Sequence, residues 1–412
     1  MELKEYKLGD IAEIVPGVSY TPDDITTSGI RILRGGNIQA ETVLLKDDDV
    51  FLPMSYANNN QLKKYDTIIV SSTGSVDALA KGATIFEDLP NTQIGAFLRI
   101  IRPKEEKYAM IISMWCTSPF FRQYMIKKAK GTSINNIRTD FLTDFPILIP
   151  EDNDLEHTSN LYLNLESKLL LNRQINQNLE ALARQLYDYW FVQFDFPNEK
   201  GKPYKSSGGK MVYNPILKRE IPEGWENGIL SDIANITMGQ SPDGSSYNEE
   251  GDGVIFYQGS TDFGERFPKI RQYTTAPSRF AKKGDILMSV RAPVGDLNIA
   301  NNDCCIGRGL SALNSKVGSI THLYYIMLSF KDMFERKSAI GTTFGSINKD
   351  ELYNLPIIKP TTKIIKLFEN KCKPIFDQQM SLGYEIDSLT KQRDELLPLL
   401  MNGQVNFDLS DD

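Results

Sequence analysis

The sequence predicts an α+β chain built from two repeated mixed α/β globules, each followed by a long helix with a coiled-coil seam. Three observations predict it. Segment 131–150 aligns without gaps on 341–360, an offset of 210 residues. Both segments end in Pro and lead into runs whose seam positions are spaced alternately four and three. Shorter fragments upstream recur in the same order. At 412 residues and 46.6 kDa the chain has length for two to four domains.

The repeat begins near the N-terminus. Leu8-Gly9-Asp10-Ile11-Ala12 returns as Leu230-Ser231-Asp232-Ile233-Ala234. Arg31-Ile32-Leu33-Arg34-Gly35-Gly36-Asn37 returns loosely as Ile255-Phe256-Tyr257-Gln258-Gly259-Ser260-Thr261. Tyr65-Asp66 and Gly284-Asp285 each lead into an apolar run, 67–70 and 286–288, that reads as a strand. Segments 108–130 and 320–339 read as helices. The offset-210 match pairs Gly131/Gly341, Thr132/Thr342, Ile137/Ile347, Asp140/Asp350, Leu142/Leu352, Pro146/Pro356, Ile147/Ile357 and Pro150/Pro360. Eight identities in twenty positions far exceed chance.

The first long helix carries its seam at Leu161, Leu165, Lys168, Asn172, Ile175, Leu179, Leu182, Leu186 and Tyr189. The second carries Phe368, Cys372, Ile375, Gln379, Leu382, Ile386, Leu389, Arg393, Leu396 and Leu400. The 4-3 spacing is that of a coiled-coil seam, and the two superimpose at an offset of 207. Asn172 and Gln379 then fall at equivalent places, where a buried amide fixes register. The alternative is two ordinary amphipathic helices on separate cores. Pro374 is expected to kink or break the second helix, Pro398 to bend its last turn, and Gly403 to stop it. The stretch 197–209, rich in Gly, Ser, Lys and Pro, reads as a mobile linker. The expected domains are 1–150, a central helix over 151–196, linker and second globule over 197–360, and a C-terminal helix over 361–405.

The net charge is -7 with a pI near 5.2, which argues against a chain that coats nucleic acid by itself. Acidic outer helix faces would account for the charge, with Glu166, Glu180, Asp188, Glu385, Asp387 and Glu395 as candidates. Two histidines and four scattered cysteines give neither a zinc site nor a disulfide framework. No apolar leader or membrane-length run is present, so no membrane role and a cytoplasmic location are expected.

No common catalytic pattern is found. There is no P-loop, no G-x-S-x-G elbow and no amino-methyltransferase tetrapeptide. Pro22-Asp23 and Pro242-Asp243 read as turns because no E-x-K pair follows either within about 30 residues. A binding or scaffold role fits better than catalysis.

What remains is a set of polar loops at equivalent places. Ser19 and Tyr20 match Gln240 and Ser241; Arg34 and Asn37 match Gln258 and Ser260; Ser72 and Thr73 match Arg291. Lys127, Lys128, Lys130, Thr132, Ser133, Asn135 and Asn136 match Arg336, Lys337, Thr342, Thr343 and Ser346. Arg, Asn, Gln, Ser and Thr read base edges, and clustered Lys holds phosphate. Solvated turns are the plain alternative.

Taken in order, these elements resemble the DNA-specificity (S) subunits of type I restriction-modification systems. The resemblance covers about residues 5–405. It rests on Ile221-Pro222-Glu223-Gly224-Trp225 before Leu230-Ser231-Asp232, on Gly284-Asp285-Ile286-Leu287, on the duplicated Gly-Thr…Pro segment, and on the closing run 389–405. The first copy departs in opening at Tyr6-Lys7-Leu8 without a Pro-x-Gly-Trp lead.

The resemblance implies two target recognition domains, each reading half of a bipartite, asymmetric sequence in double-stranded DNA. It implies that the long helices pair antiparallel, set the spacer and dock two methyltransferase subunits. Over 161–189 a helix is about 43 Å long, on the order of one turn of B-DNA. Leu165, Asn172, Ile175, Leu179, Leu182, Leu186, Gln379, Leu382, Ile386, Leu389 and Leu396 are the expected pairing residues. The chain itself would hold no cofactor or metal. S-adenosylmethionine, ATP and magnesium would belong to the modification and restriction subunits of this bacterial defence system. The rival readings are a coiled-coil protein scaffold without DNA binding and a stand-alone DNA-modifying enzyme.

Overall fold

The computed structural model describes residues 1–39, 41–58, 60–129, 136–339 and 345–405. The chain is mixed α/β and divides into two compact units. One is Met1–Leu171 with Ser388–Asp412, and the other is Asn172–Asp387. Each long helix contributes one part to each unit.

The first unit is built on an antiparallel sheet in the order Ala12–Pro16, Leu98–Pro103, Thr67–Val70, Gly82–Thr84. Thr67–Val70 is β-branched throughout and fully buried, which suits a central strand covered on both faces. Its side chains alternate as the pleat requires. Ile69 joins the core formed with helices Ala109–Thr117 and Pro119–Ala129, whereas Ile68 and Val70 join the core formed with Leu33, Ile38 and Ile94. The expected single helix over 108–130 is two. Ser118 sits at the break, its hydroxyl oxygen accepting from the Phe121 N–H at 3.1 Å, and Pro119 starts the second helix. Leu3–Lys7 pairs antiparallel with Pro146–Pro150. The last turns of the chain return to this unit: Leu397, Leu400 and Met401 enter its core.

The second unit repeats the plan. Its sheet runs Ala234–Met238, Leu310–Ser315, Ile286–Ser289, Leu297–Ile299, the same relative order. Ile286 and Leu313 face one core, Leu287 and Ala312 the other. Glu226–Ile229 pairs with Pro356–Lys359, matching the N-terminal pairing of the first unit. Helix Ile320–Ala339 is where the sequence placed it.

The stretch 197–209 is not a mobile linker but a packed segment. Phe196 stacks between Tyr204 and Trp225, with centroids 4.7 and 4.9 Å away, and the Asp195 carboxylate accepts from the Ser206 N–H at 2.7 Å. Its composition is that of a linker, but flanking aromatics anchor it.

The central helix spans Asp152–Tyr187 and continues into a π-turn at Asp188–Val192. The C-terminal helix spans Thr362–Met401 without a break at Pro374. Pro374 is exposed, and the helix runs on with one backbone hydrogen bond fewer there. Pro398 also lies within the helix, which ends before Gly403. There φ is +68°, and the Gln404 N–H donates to the Leu399 carbonyl at 2.8 Å.

On the C-terminal helix Phe368, Cys372, Gln379, Leu382, Ile386, Arg393 and Leu400 are buried, with Ile375, Leu389 and Leu396 half-buried. The central helix corrects the expected seam. Its buried line is Tyr162, Glu166, Leu169, Asn172, Ala183, Tyr187 and on to Trp190, shifted by one residue over most of its length. Leu182 is 53% and Ile175 37% exposed, and Leu165, Leu179 and Leu186 are half-buried. Glu166 and Glu180 are a second correction. They face inward rather than out, Glu166 toward Arg393 and Glu180 toward Gln379. Among the described residues, no helix is long and apolar enough to cross a membrane.

Candidate nucleic-acid interface

In each unit the strand ends bring five loop segments into one backbone-bonded group. In the first unit the Val18 N–H donates to the Ile94 carbonyl at 2.8 Å and the Gly95 N–H to Leu33 at 2.9 Å. The Ser71 and Ser72 N–H groups both donate to the Phe97 carbonyl, at 2.9 and 3.1 Å. The Ile137 N–H donates to Ser71 at 2.7 Å, and Asn136 bridges Ser72. Loops 17–20, 33–37, 71–75, 94–97 and 136–137 therefore share one edge.

The second unit builds the same group. Gln240 N–H donates to Ile306, Gly307 to Tyr257, Val290 to Gly309 and Ile347 to Val290, all at 2.8 to 3.0 Å, and Arg291 bridges Ser346. Glycine is required at the tightest approaches. A β-carbon on Gly239 would lie 2.2 Å from the Gly307 carbonyl oxygen, and one on Gly309 would lie 2.7 Å from that of Gln258.

Most of the sequence-predicted residues that are described lie in these groups. Ser19, Arg34, Gln240, Gln258 and Arg291 are exposed, as are Asn136 and Ser346, whereas Tyr20, Ser72, Thr73, Ser241 and Ser260 are half-buried. Asn37 is a correction. It is buried, its Oδ1 accepts from the Arg34 N–H at 2.7 Å, and its Nδ2 donates to Leu44 and Asp49. Asn37 shapes the turn that presents Arg34 and has no donor left for a base. Ser241 ties its loop to the next by accepting from the Arg308 N–H at 3.2 Å. Thr73 likewise accepts from the Ser75 N–H.

Lys127 and Lys128 are exposed in the last turn of Pro119–Ala129, where the helix dipole favours positive charge. Arg336 is exposed on Ile320–Ala339. Lys130, Thr132, Ser133, Asn135, Thr342 and Thr343 lie outside the described residues, as does the Lys337 side chain.

Four residues escaped the sequence reading. Phe97, 69% exposed, stands at the centre of the first group. Arg99 braces its loop by donating to the Ala96 and Leu98 carbonyls, each at 2.8 Å, and burial lowers the Arg99 pKa. Arg308 is exposed in the second group between Gly307 and Gly309, at the place Ala96 holds in the first. The signal was present: Ile94-Gly95-Ala96-Phe97-Leu98 and Ile306-Gly307-Arg308-Gly309-Leu310 share Ile, Gly and Leu in the same places. Exposed Arg279, whose carbonyl accepts from the Ile306 N–H, adds a third arginine to this group beside Arg291 and Arg308. Asp243 lies in the 239–246 loop, and hydrogen bonds from Ser245 hold its carboxyl below the usual range.

Such groups can donate to base edges and phosphates from a rigid backbone. The four cysteines are buried, and burial pushes the Cys304 and Cys372 thiols up to about 12. Among the described residues, no cluster of three His, Cys, Asp or Glu side chains could hold a metal.

Residues 222–395 match the family model for the type I restriction modification DNA specificity domain. Over 346 residues the chain is 29% identical to a protein of Methanocaldococcus jannaschii assigned as the MjaX type I restriction enzyme specificity subunit, covering 82% of this chain and 78% of that one. It is 23% identical to the HindI specificity subunit of Haemophilus influenzae, over 98% and 99% of the two chains. The crystal structure of a type I restriction-modification S subunit from M. genitalium shares the fold with a TM-score of 0.57 at 15% identity, over 97% and 96% of the chains.

Proposed function

The chain belongs to the type I restriction-modification specificity subunits, and on that premise we propose that it reads a bipartite, asymmetric DNA sequence, one half with each globule. One observation carries this reading. The same five-segment loop group is built twice, with different side chains at equivalent backbone positions. Arg34 stands where the second unit has Gln258, Ser72 where it has Arg291, Ala96 where it has Arg308 and Asn136 where it has Ser346. Arg favours guanine and Gln favours adenine in bidentate contact, each worth roughly 1–3 kcal/mol of discrimination. Two loop groups built alike, with different reading groups, suit a split site with unlike halves.

The long helices are read as the spacer and docking element. Glu180 meets Gln379 while Tyr187 meets Phe368, so rising numbers on one helix meet falling numbers on the other, as in an antiparallel pair. Leu171, Ile175, Leu182 and Tyr189 leave an exposed apolar line on the central helix that suits docking of modification subunits. Methyl transfer, ATP-driven movement and cleavage are assigned to partner subunits, which would bring S-adenosylmethionine, ATP and magnesium. This chain is read as non-catalytic.

The test is a binding selection on random double-stranded DNA with the full chain and its modification partner. The expected product is two unlike half-sites at a fixed separation. A palindrome, or no enriched sequence, would overturn the reading.

A further inference from the structure

Each unit holds one buried arginine that ties its globule to the long helices, and the two are wired in opposite senses. In the second unit the arginine belongs to the globule. Arg266 donates from Nη1 to Glu180 of the central helix at 3.3 Å and from Nη2 to Gln379 of the C-terminal helix at 3.2 Å. Gln379 closes the triangle by donating to Glu180 at 2.8 Å. The guanidinium lies over the Tyr324 and Phe376 rings, 5.1 and 4.8 Å from their centroids. The C-terminal helix makes room with Gly383, where a β-carbon would sit 2.7 Å from the Phe267 ring and 3.3 Å from Arg266.

In the first unit the arginine belongs to the helix. Arg393 of the C-terminal helix contacts Glu41 of the globule and, at 3.3 Å, Glu166 of the central helix. Glu41 has φ +64°, a left-handed conformation that a non-glycine residue adopts only when its surroundings demand it. Arg393 and Glu166 side chains are 7% and 8% exposed, and Arg266 is 8%. The two contacts lie fourteen positions apart on each helix, Glu166 to Glu180 and Gln379 to Arg393.

We propose that Arg266 and Arg393 are positioning residues for spacer discrimination, each locking its globule at one angle on its own stretch of helix. Because the globule brings the cation in one unit and the anion in the other, neither globule fits the other's seat. A Glu41-type key placed opposite Glu180 would bury two carboxylates against each other. Buried ion pairs contribute little net stability compared with apolar packing, but they penalise every alternative arrangement. Their expected role is therefore orientation and not adhesion. The inference rests on the bipartite reading above.

The experiment takes the full chain with its modification partner and the selected site, offered with its native spacer and with one base pair added or removed. Three variants are compared with the unaltered chain: Arg266→Met with Glu180→Leu, Arg393→Met with Glu166→Leu, and the reversal Arg266→Glu with and without Glu180→Arg. Each apolar pair should keep its half-site base preferences while preference for the native spacer falls at least fivefold. Arg266→Glu alone should lose the second half-site, and Glu180→Arg should restore it. Where an apolar pair does not fold, Arg266→Lys or Arg393→Lys, which keep charge but lose the fork, is read by the same criterion. Unchanged spacer preference in folded variants, or failure of the reversed pair to rescue, overturns the inference alone. Failure of the unaltered chain to select a bipartite site overturns the bipartite reading and this inference with it.

Discussion

A β-carbon on Gly17 would lie 2.1 Å from the carbonyl oxygen of Gly95. These two residues join the first loop of the first unit to the loop that carries Phe97, and only glycine permits the approach. Gly17→Ala should push loop 17–20 off that edge, at a cost on the order of 1–3 kcal/mol in binding the first half-site. The second half-site should be unaffected. Half-site competition binding checks this, and Gly239→Ala should show the opposite pattern.

Arg308 projects from the second loop group between two glycines that a side chain would spoil. Arg308→Ala should relax selection at one position of the second half-site and weaken binding by roughly 1–3 kcal/mol. The readout is base preference by selection, in which all positions of the first half-site should keep their preferences.

Lys127 and Lys128 sit exposed at a helix end. If they hold phosphate, replacing both with Ala weakens binding to all sequences equally. The slope of log affinity against log salt should fall by about 2. A slope unchanged within error would mark them as a solvated helix end.

The seam correction predicts a contrast between neighbours. Ala183 is 1% exposed and Leu182 53%. Ala183→Leu should overpack the interior and destabilise by about 1–3 kcal/mol. Leu182→Ala should change stability by no more than about 0.5 kcal/mol. Leu182→Asp with Ile175→Asp should leave the melting temperature near the original while pull-down of modification subunits is lost.

His322 is buried beside Phe191, Tyr187 and Phe368, and burial pushes its pKa down to about 3 from 6.5. The unfolded chain therefore takes up a proton that the folded one refuses. This group's contribution is complete above pH 6.5 and is lost as pH falls toward 3, with a limiting slope of about 1.4 kcal/mol per pH unit. Melting temperature between pH 6.5 and 5 should fall less steeply in His322→Gln than in the unaltered chain.

The repeat was legible because strand order and chain-closing pairs follow local apolar patterns, as in Thr67–Val70 and Ile286–Ser289. The C-terminal seam was legible because its apolar residues Phe368, Leu382, Ile386 and Leu400 are also buried. The central helix misled because its leucines outnumber the places that need them. Ala183 and Asn172 occupy buried positions, while Leu171 and Leu182 remain outside. Asn37 could not be told from a reader because a buried turn amide and a base-contacting amide look alike until partners are known. The convergence of Ser71, Phe97 and Ile137 depends on hydrogen bonds between distant segments, which no local pattern encodes.

The first unit is made from two segments far apart in the sequence: Leu397, Leu400 and Met401 complete a core begun by Leu8 and Ile11. During synthesis this fixes an unusual order of completion. The second unit has all its residues once 387 has emerged, whereas the first waits for the last turns of the final helix. A product cut short near residue 387 would keep the later-made unit whole and leave the earlier-made one open. Quality control at the ribosome would then find its exposed apolar surface in the earlier-made of the two units.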